Sequence, residues 1–268
     1  MDNRRVPFTL AHTAAALPFR RLRLVPSALI VGTVAPDCEY FLRLGPAGGY
    51  GHTPTGALLL SLPLGLAILW MFHALVKEPA ASLLPDALQR RLPMERFSFR
   101  GPSRIAWIVA SVALGIATHL GWDSFTHRTM WLYWHWPLLQ GRFFVPGLGS
   151  APVYKVLQHL STALGLVVLA VWFARWYRST VLQGRLSWLK VMPSQKRAMA
   201  GFILATATGV ALLRGFYGAR NPYEGRVLAT FAGDAICTFV AACWWQLAAL
   251  GAIQSPRSKL SARETKSR

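Results

Sequence analysis

Between Gly56 and Val76 the chain runs for 21 residues without one charged side chain. A helix of about 20 apolar residues crosses the hydrocarbon core of a bilayer, roughly 30 Å thick. Ile105–Trp122 and Val156–Ala174 are likewise free of charge, as is the shorter Ala198–Leu213. Val227–Ile253 covers 27 residues with Asp234 as its one charge. A weaker sixth candidate, Val25–Leu42, is interrupted by Asp37 and Glu39. Helix is the default for such segments, because an unpaired strand leaves its backbone groups unsatisfied in lipid. The sequence therefore predicts an all-α, polytopic transmembrane helical bundle, with five clear spans and a shorter N-terminal membrane element. Residues 1–253 are expected to form a single integral membrane domain, and 254–268 a basic, disordered tail. Composition agrees: charged residues are only 15% of the chain, against about 25% in soluble domains. A hydrophobic share of 53% excludes general disorder.

The net charge of +19 is placed almost entirely in the connections. Residues 1–24 hold five Lys/Arg, 77–104 six, 175–197 six and 254–268 five, which is 22 of the 29. Basic connections alternate with poor ones, as the positive-inside rule requires of successive spans. Both tails are then expected in the cytoplasm, which needs an even number of crossings, so Val25–Leu42 must cross as well. The basic runs serve topology and attraction to anionic lipid, and no nucleic-acid partner is expected. The apolar stretch after Arg4 and Arg5 is broken by Pro7, His12 and Pro18 and closed by Arg20, Arg21 and Arg23. It is expected to be retained, not cleaved as a signal. Cys38, Cys237 and Cys243 form no Cys-x-x-Cys pair and no disulfide framework, and read as small buried hydrophobes.

Apolar arithmetic leaves a set of imidazoles and carboxylates unexplained. In Thr118-His119-Leu120-Gly121-Trp122-Asp123-Ser124-Phe125-Thr126-His127, His119, Asp123 and His127 recur at i, i+4 and i+8, one face of a helix. Spacing of i, i+4 lets two side chains reach one zinc-like ion. His127, two turns on, suits a ligand, a ligand's partner or a proton shuttle. Ala35-Pro36-Asp37-Cys38-Glu39 places two carboxylates at i, i+2, which share no helix face. Tyr50-Gly51-His52-Thr53-Pro54 is turn-like, and His12 stands near the start. Taken singly, each has an ordinary account as an interfacial residue, a cap or half of an ion pair. Together, six ligand-type groups beside apolar segments are costly unless paired, and a shared cation offsets the cost for all of them.

Val6-Pro7-Phe8-Thr9-Leu10-Ala11-His12, Val34-Ala35-Pro36-Asp37-Cys38-Glu39-Tyr40-Phe41, Gly51-His52-Thr53 and the His119/Asp123 block occur in this order. In this the chain resembles the bacterial "domain of unknown function 4184" family of membrane proteins. The order is also similar to the inner-membrane metal-dependent hydrolases of the YdjM type, and through them to the zinc-dependent phospholipase C and P1 nuclease group. That resemblance implies His12, Asp37, His52, His119 and Asp123 as ligands of a divalent metal, zinc first. Glu39 stands where those hydrolases have a second Asp, and implies a further ligand or a base acting on bound water. Only His52-Thr53 is present where they often show two histidines around a Gly.

The function expected is membrane-embedded, metal-dependent hydrolysis at the plasma (inner) membrane, of a phosphoester or lipid headgroup. Glu39 and His127 are its catalytic candidates and membrane lipids its partners. The charge rule leaves a conflict, since residues 1–24 fall inside while 43–55 and 123–155 fall outside. Either the charge-free Val6–Phe19 dips into the membrane to bring His12 to the others, or His12 is no ligand. Two rivals remain. Asp234, a carboxylate inside an apolar segment, would suit a transporter or channel, or a buried pair with Arg214 or His159. A non-catalytic structural protein would use its histidines only for packing and its 11 tryptophans as interfacial belts. The Trp131–Trp136 run, with His135, reads as such an anchor or as a lid. His73 and His159 are further candidates for orienting a ligand.

Overall fold

In the computed structural model, residues 9–46, 48–93, 97–145, 149–182 and 191–264 are described. The expectations for residues 1–8, including Val6-Pro7-Phe8, and for the last four residues of the tail lie outside them.

Among the described residues, five helices are long and apolar enough to cross a membrane, and the structure is all-α apart from one hairpin. Each crossing segment outruns its charge-free stretch: Pro54–Leu83, Pro102–Thr126, Val153–Ser179, Pro193–Arg220 and a last helix printed over Val227–Glu264. The last extends beyond residue 254. Helix continues past the apolar edge because the flanking Lys, Arg and Gln are themselves good helix formers. The weaker candidate Val25–Leu42 is three short pieces, a helix Pro26–Val34, a 3-10 turn Ala35–Asp37 and a helix Cys38–Arg43. It is not among the five. The break falls where Pro36 removes a donor and restricts Ala35.

The residues group into two compact units. The first comprises residues 1–39, 48–66 and 99–176. It opens with a 3-10 helix, Thr9–Arg21, whose apolar part Leu10–Phe19 is too short to cross. The Pro26–Val34 helix then packs on Pro102–Thr126 with backbone nearly touching backbone. A Cβ on Gly32 would lie 2.3 Å from the Val112 carbonyl oxygen, and one on Gly115 would lie 2.7 Å from the Gly32 Cα. Small residues permit this in lipid, where helix association depends on close packing and hydrogen bonds. The Val25 N–H donates to Ser111 Oγ at 2.9 Å across the same seam. The hairpin pairs Arg142–Val145 antiparallel with Gly149–Pro152.

The second unit comprises residues 40–47, 67–98 and 177–268. Pro193–Arg220 and Val227–Glu264 pack along each other, joined through a 3-10 turn, Tyr223–Gly225. Thr206 Oγ1 donates to Gln246 Oε1 at 2.8 Å, and Arg214 forms an ion pair with Asp234. Of the two partners weighed for Asp234, the structure has Arg214. Gly251 lies against the Leu75 carbonyl.

Candidate metal centre

Four separate segments of the first unit each deliver a side chain to one buried point. Asp37 ends the 3-10 turn that Pro36 imposes and is 0% exposed. His52 ends the Tyr50–His52 turn. It is held there because Thr53 caps the next helix, its Oγ1 accepting from Gly56 N–H at 3.0 Å, and Pro54 takes the first helical position. Both choices favour a helix start at that residue. Gly56 is required, since a Cβ there would meet the Tyr50 carbonyl oxygen at 1.7 Å. His119 and Asp123 come from one face of Pro102–Thr126, at i, i+4. His12 is carried in by the 3-10 helix, which closes on the Val153–Ser179 helix where Gly165 leaves room for Ala11.

The ligand atoms lie at coordination spacing. His119 Nε2 is 3.2 Å from Asp123 Oδ2, 3.3 Å from His52 Nε2 and 3.8 Å from Asp37 Oδ1. His52 Nε2 is 3.1 Å from Asp37 Oδ1 and 3.4 Å from Asp123 Oδ2, and His12 Nε2 is 3.5 Å from Asp123 Oδ1. Ligand bonds of 2.0–2.2 Å around a tetrahedral zinc put neighbouring ligand atoms about 3.3–3.6 Å apart. Two overlapping triads, His12/His119/Asp123 and Asp37/His52/His119, have their ligand atoms within 4.8 Å of one another. The donor set of three imidazoles and two carboxylates suits a divalent ion in charge and in type. His12 Nδ1 is buried without a hydrogen bond, and Asp123 Oδ1 has imidazole nitrogens beside it, His127 Nδ1 at 3.2 Å and His12 Nε2 at 3.5 Å. Buried polar groups gathered in this way are costly unless a cation joins them. The residues present therefore fit the implied metal.

The tautomers are set from outside the cluster. His119 Nδ1 donates to the Thr33 carbonyl at 2.8 Å, so Nε2 faces the ligands as an acceptor. Such a backbone partner is common behind metal-ligating histidines. Burial disfavours a charged His52, but hydrogen bonding to Asp123 and Asp37 outweighs it and raises its pKa to about 10. Three acceptors therefore converge on a single proton, at the place where a cation would sit.

His127 does not continue the helical face. The helix ends at Thr126, and His127 is an extended cap with φ −128° and ψ 129°. Its ring turns back, placing Nδ1 3.2 Å from Asp123 Oδ1, while the Gln158 amide donates to Nε2 at 3.0 Å. It holds Asp123 and stands outside the two triads. Glu39 is directed away from Asp37, as i, i+2 spacing implies. Its carboxylate packs against Gly48 and accepts from the Gly51 N–H at 3.4 Å, so it fastens the loop that carries His52. His159 is exposed on its helix and His73 stacks on Phe97 in the second unit, ring centroids 3.9 Å apart. Trp131, Trp134 and Trp136 are exposed, and His135 stacks on Trp131. Thr33 and Gln158 were missed from sequence. A backbone carbonyl leaves no signature, whereas Gln158 is a polar residue at the start of an apolar span and was open to the same question as its neighbour His159.

Fold and site together define a multi-pass membrane protein with a buried His/Asp cluster beside its N-terminal elements. The chain belongs to the family described as Domain of unknown function (DUF4184), whose model matches residues 6–252. No curated protein and no solved structure matches it.

Proposed function

We propose that the protein is a membrane-embedded hydrolase dependent on one divalent ion, zinc first, acting on a phosphoester. The observation that supports it is the convergence of His12, Asp37, His52, His119 and Asp123 at 3.1–3.8 Å spacing in a buried site. The chemistry such an ion supplies is a lowered pKa for bound water and polarisation of a phosphoryl oxygen. The chain's part is to hold the ion with these five residues, to fix Asp123 through His127 and Gln158, and to keep bulk water out by burial. Glu39 serves the loop in this account and is no longer the base. The transporter reading is weaker, because Asp234 is already neutralised by Arg214 and has no need of a transported ion. Location in the plasma membrane with both termini in the cytoplasm completes the proposal. The broken Pro26–Arg43 segment then provides the sixth crossing, and the short Leu10–Phe19 helix enters the membrane from its own side to bring His12 in.

The test is elemental analysis of purified protein together with phosphoester turnover. Wild type should retain zinc and hydrolyse a phosphoester probe, with loss of both in His119→Ala/Asp123→Ala. Negligible metal in both proteins would remove the proposal.

A further inference from the structure

A cavity of about 210 Å³ lies among the Thr9–Arg21, Pro26–Val34 and Val153–Ser179 helices of the first unit. Ala16, Leu17, Leu29, Ile30, Leu169 and Trp172 line it. The one hydroxyl among its lining side chains, that of Thr13, donates to the Leu10 carbonyl at 2.7 Å. A space without polar partners does not hold ordered water and takes apolar guests. Its volume is below the range of a whole drug-sized ligand, about 300–1,000 Å³, and suits a length of hydrocarbon chain.

Its position says which chain. Leu29 is one helical turn, about 6 Å, before Thr33, whose carbonyl orients His119. Thr13 directly follows His12. The cavity thus begins within about two turns of the His/Asp cluster along two separate elements. Ile30 and Trp172 are 44% and 36% exposed. Ile30 lies on Pro26–Val34 and Trp172 on Val153–Ser179. The most apolar stretch of the latter helix has no buried residue, and in a membrane the medium beside it is hydrocarbon.

We propose that this cavity holds part of one acyl chain of a membrane phospholipid whose phosphoester headgroup reaches the His/Asp cluster. The inference names the substrate class of the hydrolase and rests on that reading for its headgroup end.

The experiment uses the full chain in phosphatidylcholine vesicles containing phosphatidic acid with a photoactivatable diazirine on one acyl chain. Adducts are mapped by mass spectrometry, and zinc is measured on the same samples. Adducts should concentrate on the cavity residues and fall about tenfold in Ala16→Phe and in Leu169→Trp, since a well-filled space resists further insertion. Zinc content should not change in either variant. Unlabelled phosphatidic acid should displace the probe, and glycerol 3-phosphate should not. Adducts spread evenly over the outer faces of the five spans, or undiminished adducts in both filled variants, would each overturn the proposal. Absence of zinc from wild type would remove the metal reading alone, because the adduct pattern still decides who occupies the cavity.

Discussion

His119 donates its Nδ1 proton to the Thr33 carbonyl at 2.8 Å, which leaves Nε2 as its one free lone pair. Both ligand triads include His119, and one imidazole nitrogen binds one ion. The two triads are therefore two views of a single centre, not halves of a dinuclear site. The expected stoichiometry is one zinc per chain after dialysis against a slight excess, measured by atomic emission. Two ions per chain, both lost in His119→Ala, would show that a carboxylate bridge carries more than this geometry allows.

The Gly32–Gly115 contact sets the distance at which Thr33 meets His119. A methyl on either glycine would strike backbone on the other helix, within 2.4 Å of the Leu29 carbonyl oxygen in the case of Gly115. Backbone cannot rotate out of the way as a side chain can. Gly115→Ala should cost about 1–3 kcal/mol and weaken zinc binding. Gly121→Ala, two turns along the same helix with nothing within 4 Å, should be neutral or gain up to about 1 kcal/mol from helix propensity. Thermal unfolding of the two variants in one detergent compares them directly. Equal shifts would mean that the seam is loose enough to absorb the methyl.

His127 stands behind the cluster, and its loss should differ from the loss of a ligand. With Nε2 held by Gln158, the Nδ1 proton is directed at Asp123 Oδ1. Removing such a supporting partner typically costs 10–100-fold in metal affinity. His127→Phe should therefore still bind one zinc, about 10–100-fold more weakly in competition with a chelator. His119→Ala should bind none under the same conditions. Loss of the full complement in His127→Phe would make it a ligand.

The long spans were legible because absence of charge over 18 or more residues has one common physical cause. The cluster was legible in part, because polar groups at membrane depth need a reason. What hid the rest was backbone. Nothing in the residue types of Leu10–Phe19 announces a 3-10 helix, and the i, i+8 position of His127 suggested a face that the helix does not live long enough to form. Asp37 and Glu39 stand two residues apart with opposite fates, one at the cluster and one on the Gly48–Gly51 loop, and only their spacing hinted at it. Gly32 and Gly115 look like ordinary members of apolar runs until two chains are laid side by side.

Metal and proton compete for His52. Its pKa is raised to about 10, so in the metal-free protein its charged form contributes stability that is fully present below the ordinary value near 6.5. That contribution fades as pH rises through about 10. Zinc must displace this proton, so binding at neutral pH should release at least one proton, and affinity should rise with pH across the neutral range. Calorimetry in two buffers of different ionisation enthalpy measures the release. The same enthalpy in both buffers would show that His52 enters the complex without giving up a proton.

The ion pair of Arg214 with Asp234 lies between two spans of the second unit, with Asp234 only 9% exposed at its side chain. Gly218 and Gly45 leave the space its carboxylate occupies, since a Cβ on Gly218 would fall 2.2 Å from Oδ2. Removing one partner of a buried pair leaves an uncompensated charge, at about 3–5 kcal/mol when burial is complete. Arg214 retains 31% exposure, so about 1–3 kcal/mol is expected here. Arg214→Met and Asp234→Ala should each lower the unfolding temperature. The double variant should recover part of the loss, because neither charge is then stranded. Zinc content should be unaffected in all three. Full additivity of the two single losses would mean the pair is not coupled, and ion flux in proteoliposomes that vanishes with Asp234→Ala would return the carboxylate to a transport role.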